Sequence, residues 1–167
     1  MKAFIRKFIA DRAGVAVTEF ALGTTLLFMV VLAGLDFGGY FMQRGQINEA
    51  VSAAAMQSFQ QRDNVNFGNM QGYVRNLADS QTVTVTNSCN GTANSCTNLN
   101  RTCACLQTNG TFTPTACGSA CAGGATPGST AGYYLTIEAS DTFRKVVLPK
   151  GVFAGDTITQ SVTVRLQ

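Results

Sequence analysis

Two groups of residues in this 167-residue chain have types and spacings that could do chemistry. The first is a set of six cysteines, Cys89, Cys96, Cys103, Cys105, Cys117 and Cys121, all inside one polar stretch. Kept reduced, the C-x-C and C-x3-C pairs would suit a tetrahedral zinc site with four thiolate ligands; oxidised, the six would close three bridges. Closeness in sequence makes Cys89–Cys96 a separate pair. The other four would then form two bridges, crossing or nested, and spacing does not order them. The second group is a lone carboxylate, Glu19, the one ionisable side chain in the 21 residues from Val15 to Leu35. A carboxylate at the centre of a bilayer-spanning helix costs about 2.5–3.5 kcal/mol, and less near an end. In the first turns of a helix the dipole favours it, so an interfacial Glu is the simple reading of that residue alone.

Catalysis is not supported by what remains. The chain has no histidine, which excludes Ser-His-Asp and Cys-His nucleophilic catalysis and any metal site that needs imidazole. The nine acidic residues are scattered, no glycine-rich phosphate loop occurs, and no nucleophile has a base beside it. No cofactor and no small-molecule substrate are implied. A net charge of +3 is too small to suggest nucleic acid, and its position says more than its size. Lys2, Arg6, Lys7 and Arg12 against Asp11 place +3 in the first fourteen residues, leaving eight basic and eight acidic residues in the other 153. Asn90, Asn100 and Asn109 begin Asn-x-Ser/Thr sequons, which a tract this rich in Asn and Thr produces by chance.

The elements that must hold these residues follow from periodicity. Val15 to Leu35 is apolar, and at about 1.5 Å per residue it spans roughly 30 Å, the hydrocarbon thickness of a bilayer. The basic cluster before it puts residues 1–14 in the cytoplasm and the rest outside. Outside, thiols oxidise, which favours three disulfides over zinc. A cleaved secretory signal ending at Leu32-Ala33-Gly34 is the alternative. The apolar run exceeds the roughly 7–15 residues of such signals, and the helical pattern continues past it. Phe37, Tyr40, Phe41, Ile47, Val51, Ala54, Ala55 and Phe59 form a stripe at three- and four-residue steps, with Arg44 inside it, as for a helix packed on a sheet. Unbroken to about Arg62, this helix would be roughly 70 Å long, with Gly38-Gly39 as a place to kink at the membrane surface.

A second helix is expected over Asn66–Asp79, with Phe67, Met70, Val74 and Leu77 on its apolar face. Strict alternation predicts strands at Thr82–Thr86, Tyr133–Ser140 and Thr157–Leu166, with Leu148-Pro149-Lys150-Gly151 as turn chemistry. From Ser80 to Gly132, 30 of 53 residues are Ser, Thr, Asn or Gly, too few apolar groups to offset chain entropy without cross-links. The fold class is therefore α+β: a long N-terminal transmembrane helix continuing into an amphipathic helix packed on a small antiparallel sheet, with a Cys-rich loop inserted.

A basic leader ending in Gly14, with Val15 next, Glu19 fifth and Phe20 sixth after the cut, resembles a type IV prepilin. The fuller string Phe8, Asp11-Arg12, Gly14-x-Ala16-Val17-x-Glu19-Phe20-Ala21-Leu22 is similar to the TadE-like family of tight-adherence pilus proteins. Gly34-Leu35-Asp36-Phe37-Gly38 closing the apolar run, the alanine-rich helix after it and the terminal Ser161-Val162-Thr163-Val164-Arg165-Leu166 continue the likeness. Gly23-Thr24-Thr25 stand where the family usually has a proline, and Ala13 where a second arginine is common. The resemblance implies a structural minor pilin or pseudopilin of a bacterial inner-membrane system, acting in pilus biogenesis, adhesion or surface attachment. It implies residues 1–14 as a cytoplasmic leader removed by a prepilin peptidase, 15–36 as a single transmembrane helix, and 37–167 as an extracytoplasmic domain carrying the 80–132 insertion. It also implies other pilin subunits and an inner-membrane platform with its ATPase as partners. In that scheme Glu19 pairs with the new α-amino group of a neighbouring subunit's Val15, and Phe20 lies in the same helix contact. Two rival readings are an unpolymerised single-pass anchor with a disulfide-stapled, ligand-binding ectodomain, and a membrane-tethered zinc module.

Overall fold

The computed structural model describes residues 12–62, 67–93, 96, 102–148 and 155–167. The leader up to Asp11, the Asn100 sequon and the Pro149-Lys150-Gly151 turn lie outside the described residues. Helix α1 spans Arg12–Gln60 and α2 spans Phe67–Leu77. The strands are β1 Thr84–Cys89, β2 Thr92–Ala93, β3 Ala104–Leu106, β4 Phe112–Pro114, β5 Tyr134–Thr142 and β6 Thr157–Arg165. A four-stranded antiparallel sheet has the order β2-β1-β5-β6, and β3-β4 form a separate two-stranded sheet.

At about 1.5 Å per residue, the 49 residues of α1 make a rod of roughly 73 Å. It stays α-helical through Gly38-Gly39, so those glycines do not interrupt it. Only its second half packs on the sheet. Ile47, Ala50, Val51, Ala54 and Ala55 are buried at three- and four-residue steps, and the alanines let the helix approach the strands closely. Ser58 is buried on the same face, its hydroxyl donating to Ala54 O at 2.9 Å, which satisfies it inside the helix. The expected stripe is correct in its middle and wrong at its ends. Phe37, Phe41, Phe59 and Arg44 are exposed, because the sheet is shorter than the helix and covers only part of it.

Facing α1, β5 turns Leu135, Ile137 and Ala139 inward, and β6 contributes Ile158, Val162 and Val164. Their registers pair Leu135 with Val164 and Ile137 with Val162, so each cross-strand pair presents apolar side chains to one helix. The outward face is hydroxylic, with Thr136 and Thr163 hydrogen-bonded across the ladder at 2.9 Å. Helix α2 covers β1 through Met70, Val74 and Ala78. Leu77, expected on that face, is exposed, and Ala78 takes the inward position as the helix ends. That end is a Schellman-type cap: Ser80 N–H donates to Arg75 O at 3.2 Å, with Asp79 in the left-handed region at φ 48°.

Strand β1 begins two residues later than expected and runs on through Asn87, Ser88 and Cys89. The inward parity of Val83 and Val85 carries through to Asn87 and Cys89, although Asn87 is polar. The ladder ends in Asn90-Gly91, both at positive φ (48° and 81°), a two-residue hairpin turn that sets Cys89 opposite Thr92. The Asn-Gly pair is the sequence signal for that hairpin; as a sequon alone it hides the turn.

Candidate functional site on the N-terminal helix

The first half of α1 has no cover from the other described residues. Every large apolar side chain from Val15 to Leu35 is exposed, Leu32 least so at 37%. The helix is long and apolar enough to cross a membrane, with a mean hydropathy of 2.1 in its best window. Fully burying a Val, Leu, Phe or Met side chain is worth about 1.5–3 kcal/mol, so a surface of this kind requires lipid or other helices around it. Two of its hydroxyls are satisfied within the helix: Thr18 donates to Val15 O and Thr25 to Ala21 O, both at 2.8 Å. The helical backbone and these two hydroxyls therefore need nothing from a nonpolar medium.

Glu19 is the exception. It is exposed, and among the described residues no group hydrogen-bonds or ion-pairs with it. Phe20 beside it is 76% exposed. Gly14 lies inside α1, and a Cβ built there would meet nothing within 4 Å. The fold itself therefore does not require glycine at 14. Gly14, Val15, Glu19 and Phe20 thus share one open helical segment.

Two buried aspartates lock this rod to the sheet, and the sequence reading gave neither a role. Asp36, one residue past the apolar run, accepts the backbone N–H groups of Val146, Val147 and Leu148 at 2.9, 2.9 and 2.8 Å. Asp141 is buried at the end of β5 and accepts from Gln43 Nε2 at 2.7 Å, Ser80 Oγ at 2.8 Å and Thr82 Oγ1 at 2.7 Å. Burial alone would raise the Asp141 carboxyl pKa. Donation from Thr82, Ser80, the Thr142 amide and Gln43 outweighs that and holds it below the usual carboxylate range. The missed signal was parity: Asp141 falls on the inward register of Leu135, Ile137 and Ala139.

At the other end of the sheet stands the cysteine module. Cys89–Cys96 are bridged, as are Cys103–Cys117 and Cys105–Cys121, with Cα separations of 5.2, 5.0 and 5.6 Å. The last two cross in sequence. All six thiols are therefore consumed, which leaves none to ligate zinc. Cys103, Cys105 and Ala131 form a small buried cluster with Cys121 against it, so the sulfurs supply the core that the polar composition lacks. Ala104 and Gly132 exchange both backbone hydrogen bonds at 2.8 and 3.0 Å, and Ala131 N–H donates to Ser119 O at 2.8 Å. The segment is therefore a knotted piece of irregular sheet, more ordered than its composition predicts. Between it and the outer face of the main sheet runs a groove of about 920 Å³, bordered by Asn90, Gln107, Phe112, Thr136 and Thr163 among others, with no titratable side chain in its lining.

Residues 14–56 match the TadE-like protein family. The match starts at Gly14, takes in the uncovered apolar half of α1, and ends at Met56 over the sheet; the strands and the cysteine module lie beyond it. No curated protein and no solved structure matches the chain. The TadE-like match agrees with the family suggested by the Gly14/Glu19 register and points to a Tad pilus-associated, pilin-like protein. The N-terminal apolar helix fits a membrane-anchored protein.

Proposed function

We propose that this chain is a minor pilin or pseudopilin of a tight-adherence (type IVc) pilus system, cut after Gly14 by a prepilin peptidase and assembled through α1. The observation that carries this reading is the exposed apolar half of α1 with one carboxylate at its N-terminal end that has no partner among the described residues, inside the TadE-like match. Cleavage would give Val15 an α-amino group, charged below a pKa of about 8. Among packed helices that amine meets the Glu19 carboxylate of the next subunit, and the pair fixes axial register where both charges leave water together. The Gly14–Val15 bond lies in the first turns of α1, so the helix must open there to enter a peptidase cleft. Glycine lowers the cost of that opening, because it holds helix weakly and keeps its side clear.

The domain division follows the same reading: a leader to residue 14, a span over 15–36, and an extracytoplasmic domain from 37 in the periplasm or at the cell surface. The experiment is mass mapping of the N-terminus of membrane-extracted protein. The proposal expects a chain beginning at Val15. A chain that keeps Met1 in cells with an active peptidase supports the unpolymerised anchor instead. Since a Cβ at 14 disturbs nothing in the fold, loss of cleavage in a bulky Gly14 variant reports on processing rather than on misfolding.

A further inference from the structure

We infer that the segment from Arg144 to Leu148 is a second membrane contact, which seats the sheet domain on the lipid surface where α1 emerges. The inference rests on the reading of Val15–Leu35 as a bilayer span. After β5 the chain descends α1 in steps. Asp141 is joined to Gln43, and the Phe143 ring packs edge-on against Tyr40 at 5.5 Å between centroids and lies against Gly39. Val146, Val147 and Leu148 then hang by three consecutive amides on Asp36. Asp36 immediately follows the apolar run, so the carboxylate fixes this loop at the height where the helix leaves hydrocarbon.

At that height Val146 is 87% exposed, more than any other large apolar residue described, and Val147 is exposed beside it. A single exposed valine is ordinary on a protein surface. Its depth and its fixed backbone distinguish this one: with its amide donated to a buried carboxylate, Val146 is held outward by the fold. The charges around it agree. Lys145 turns aside to pair with Asp156 at 2.5 Å, while Arg144 is exposed on the rim of a cavity it shares with Asp141 and Thr142, and no acidic residue lies between 144 and 148. Anionic phospholipid headgroups around an apolar tip are the surroundings this segment fits. A second contact to one side of α1 would stop the domain from swivelling about a single helix and present one fixed face to its neighbours.

The chain has no tryptophan, so one introduced indole is a unique probe. Full-length Val146→Trp, Phe28→Trp and Asn109→Trp are reconstituted in anionic phosphatidylglycerol-containing vesicles, brominated either shallow or deep in the acyl chain. Val146→Trp should be quenched by shallow bromines and weakly by deep ones, Phe28→Trp strongly by deep ones, and Asn109→Trp by neither. If Phe28→Trp is quenched while Val146→Trp matches Asn109→Trp, the loop contact is wrong and the span stands. If neither Phe28→Trp nor Val146→Trp is quenched, both are wrong. Adding Asp36→Ala to Val146→Trp should reduce the shallow quenching, and unchanged quenching would overturn the anchoring role given to Asp36. Val146 projects clear of the fold, so the indole is accommodated; a wild-type pattern of resistance to limited proteolysis confirms that each variant is folded.

Discussion

Asp141 shows how much a single side chain can carry when it is placed at a junction. One buried carboxylate accepts hydrogen bonds from α1, from the segment before β1 and from its own strand end, so three elements meet on it. Asn in its place keeps the shape but presents two donors where donors already point. Asp141→Asn should therefore cost about 1–3 kcal/mol, the usual penalty for buried groups that lose their partners. The sign with pH follows from the depressed carboxyl. The charged form is favoured in the folded state, so its stabilisation is fully present above the unfolded-chain pKa of about 3.9 and is lost as pH falls through the lower folded value. Urea midpoints of wild type and variant should thus differ at pH 7 and converge below about pH 4. A gap that stays constant down to acid would contradict the assignment. Gly132 makes a different residue-scale claim. A Cβ there would overlap the Arg165 guanidinium and the Gln167 carbonyl oxygen, one of them backbone. Gly132→Ala should lower stability by about 1–3 kcal/mol through overpacking, seen as a lower Tm.

At the scale of elements, the crossed bridges decide whether the cysteine module exists. Each closes a loop of 14 or 16 residues, worth about 3 kcal/mol of unfolded-chain entropy. Reduction should make residues 102–132 sensitive to protease while α1, α2, β5 and β6 stay paired, because the main core shares only Cys89 and Cys96 with the bridges. Limited proteolysis with and without reductant checks this, and collapse of the whole domain on reduction would contradict it. The long helix, the alternation of β5 and β6 and the compartment argument for disulfides were all legible, since each rests on local pattern or composition. The β1–β2 hairpin was legible in Asn90-Gly91 and went unread. The pairing of Cys103 with Cys117 and Cys105 with Cys121 was not legible, because it depends on how Cys103, just before β3, and Cys105, within it, are both turned into the small buried cluster. Asp36 was visible only as the end of an apolar run; its three amide partners lie more than a hundred residues away.

The whole molecule is a rod half clothed by a sheet. The clothed half has a buried core, polar locks at Asp36 and Asp141, and a cross-linked distal module; the apolar side chains of the bare half are exposed. Mutations therefore separate by position. Changes in the sheet alter stability, whereas changes at Glu19 should leave the fold alone and act only where subunits meet. Glu19→Gln separates the two kinds of site in one variant. If Glu19 is only an interfacial charge, the Gln variant inserts as well as wild type or better, since it sheds a desolvation cost of up to about 3 kcal/mol. If it pairs with a neighbour's Val15 amine, insertion and cleavage stay normal but the amine is buried alone, a loss of about 3–5 kcal/mol. Membrane level, N-terminal mass and recovery in sheared pili are measured on the same cells. The Glu19→Gln protein should be cleaved and membrane-resident but absent from the pili; recovery in the pili at the wild-type level would show that Glu19 is only a tolerated charge.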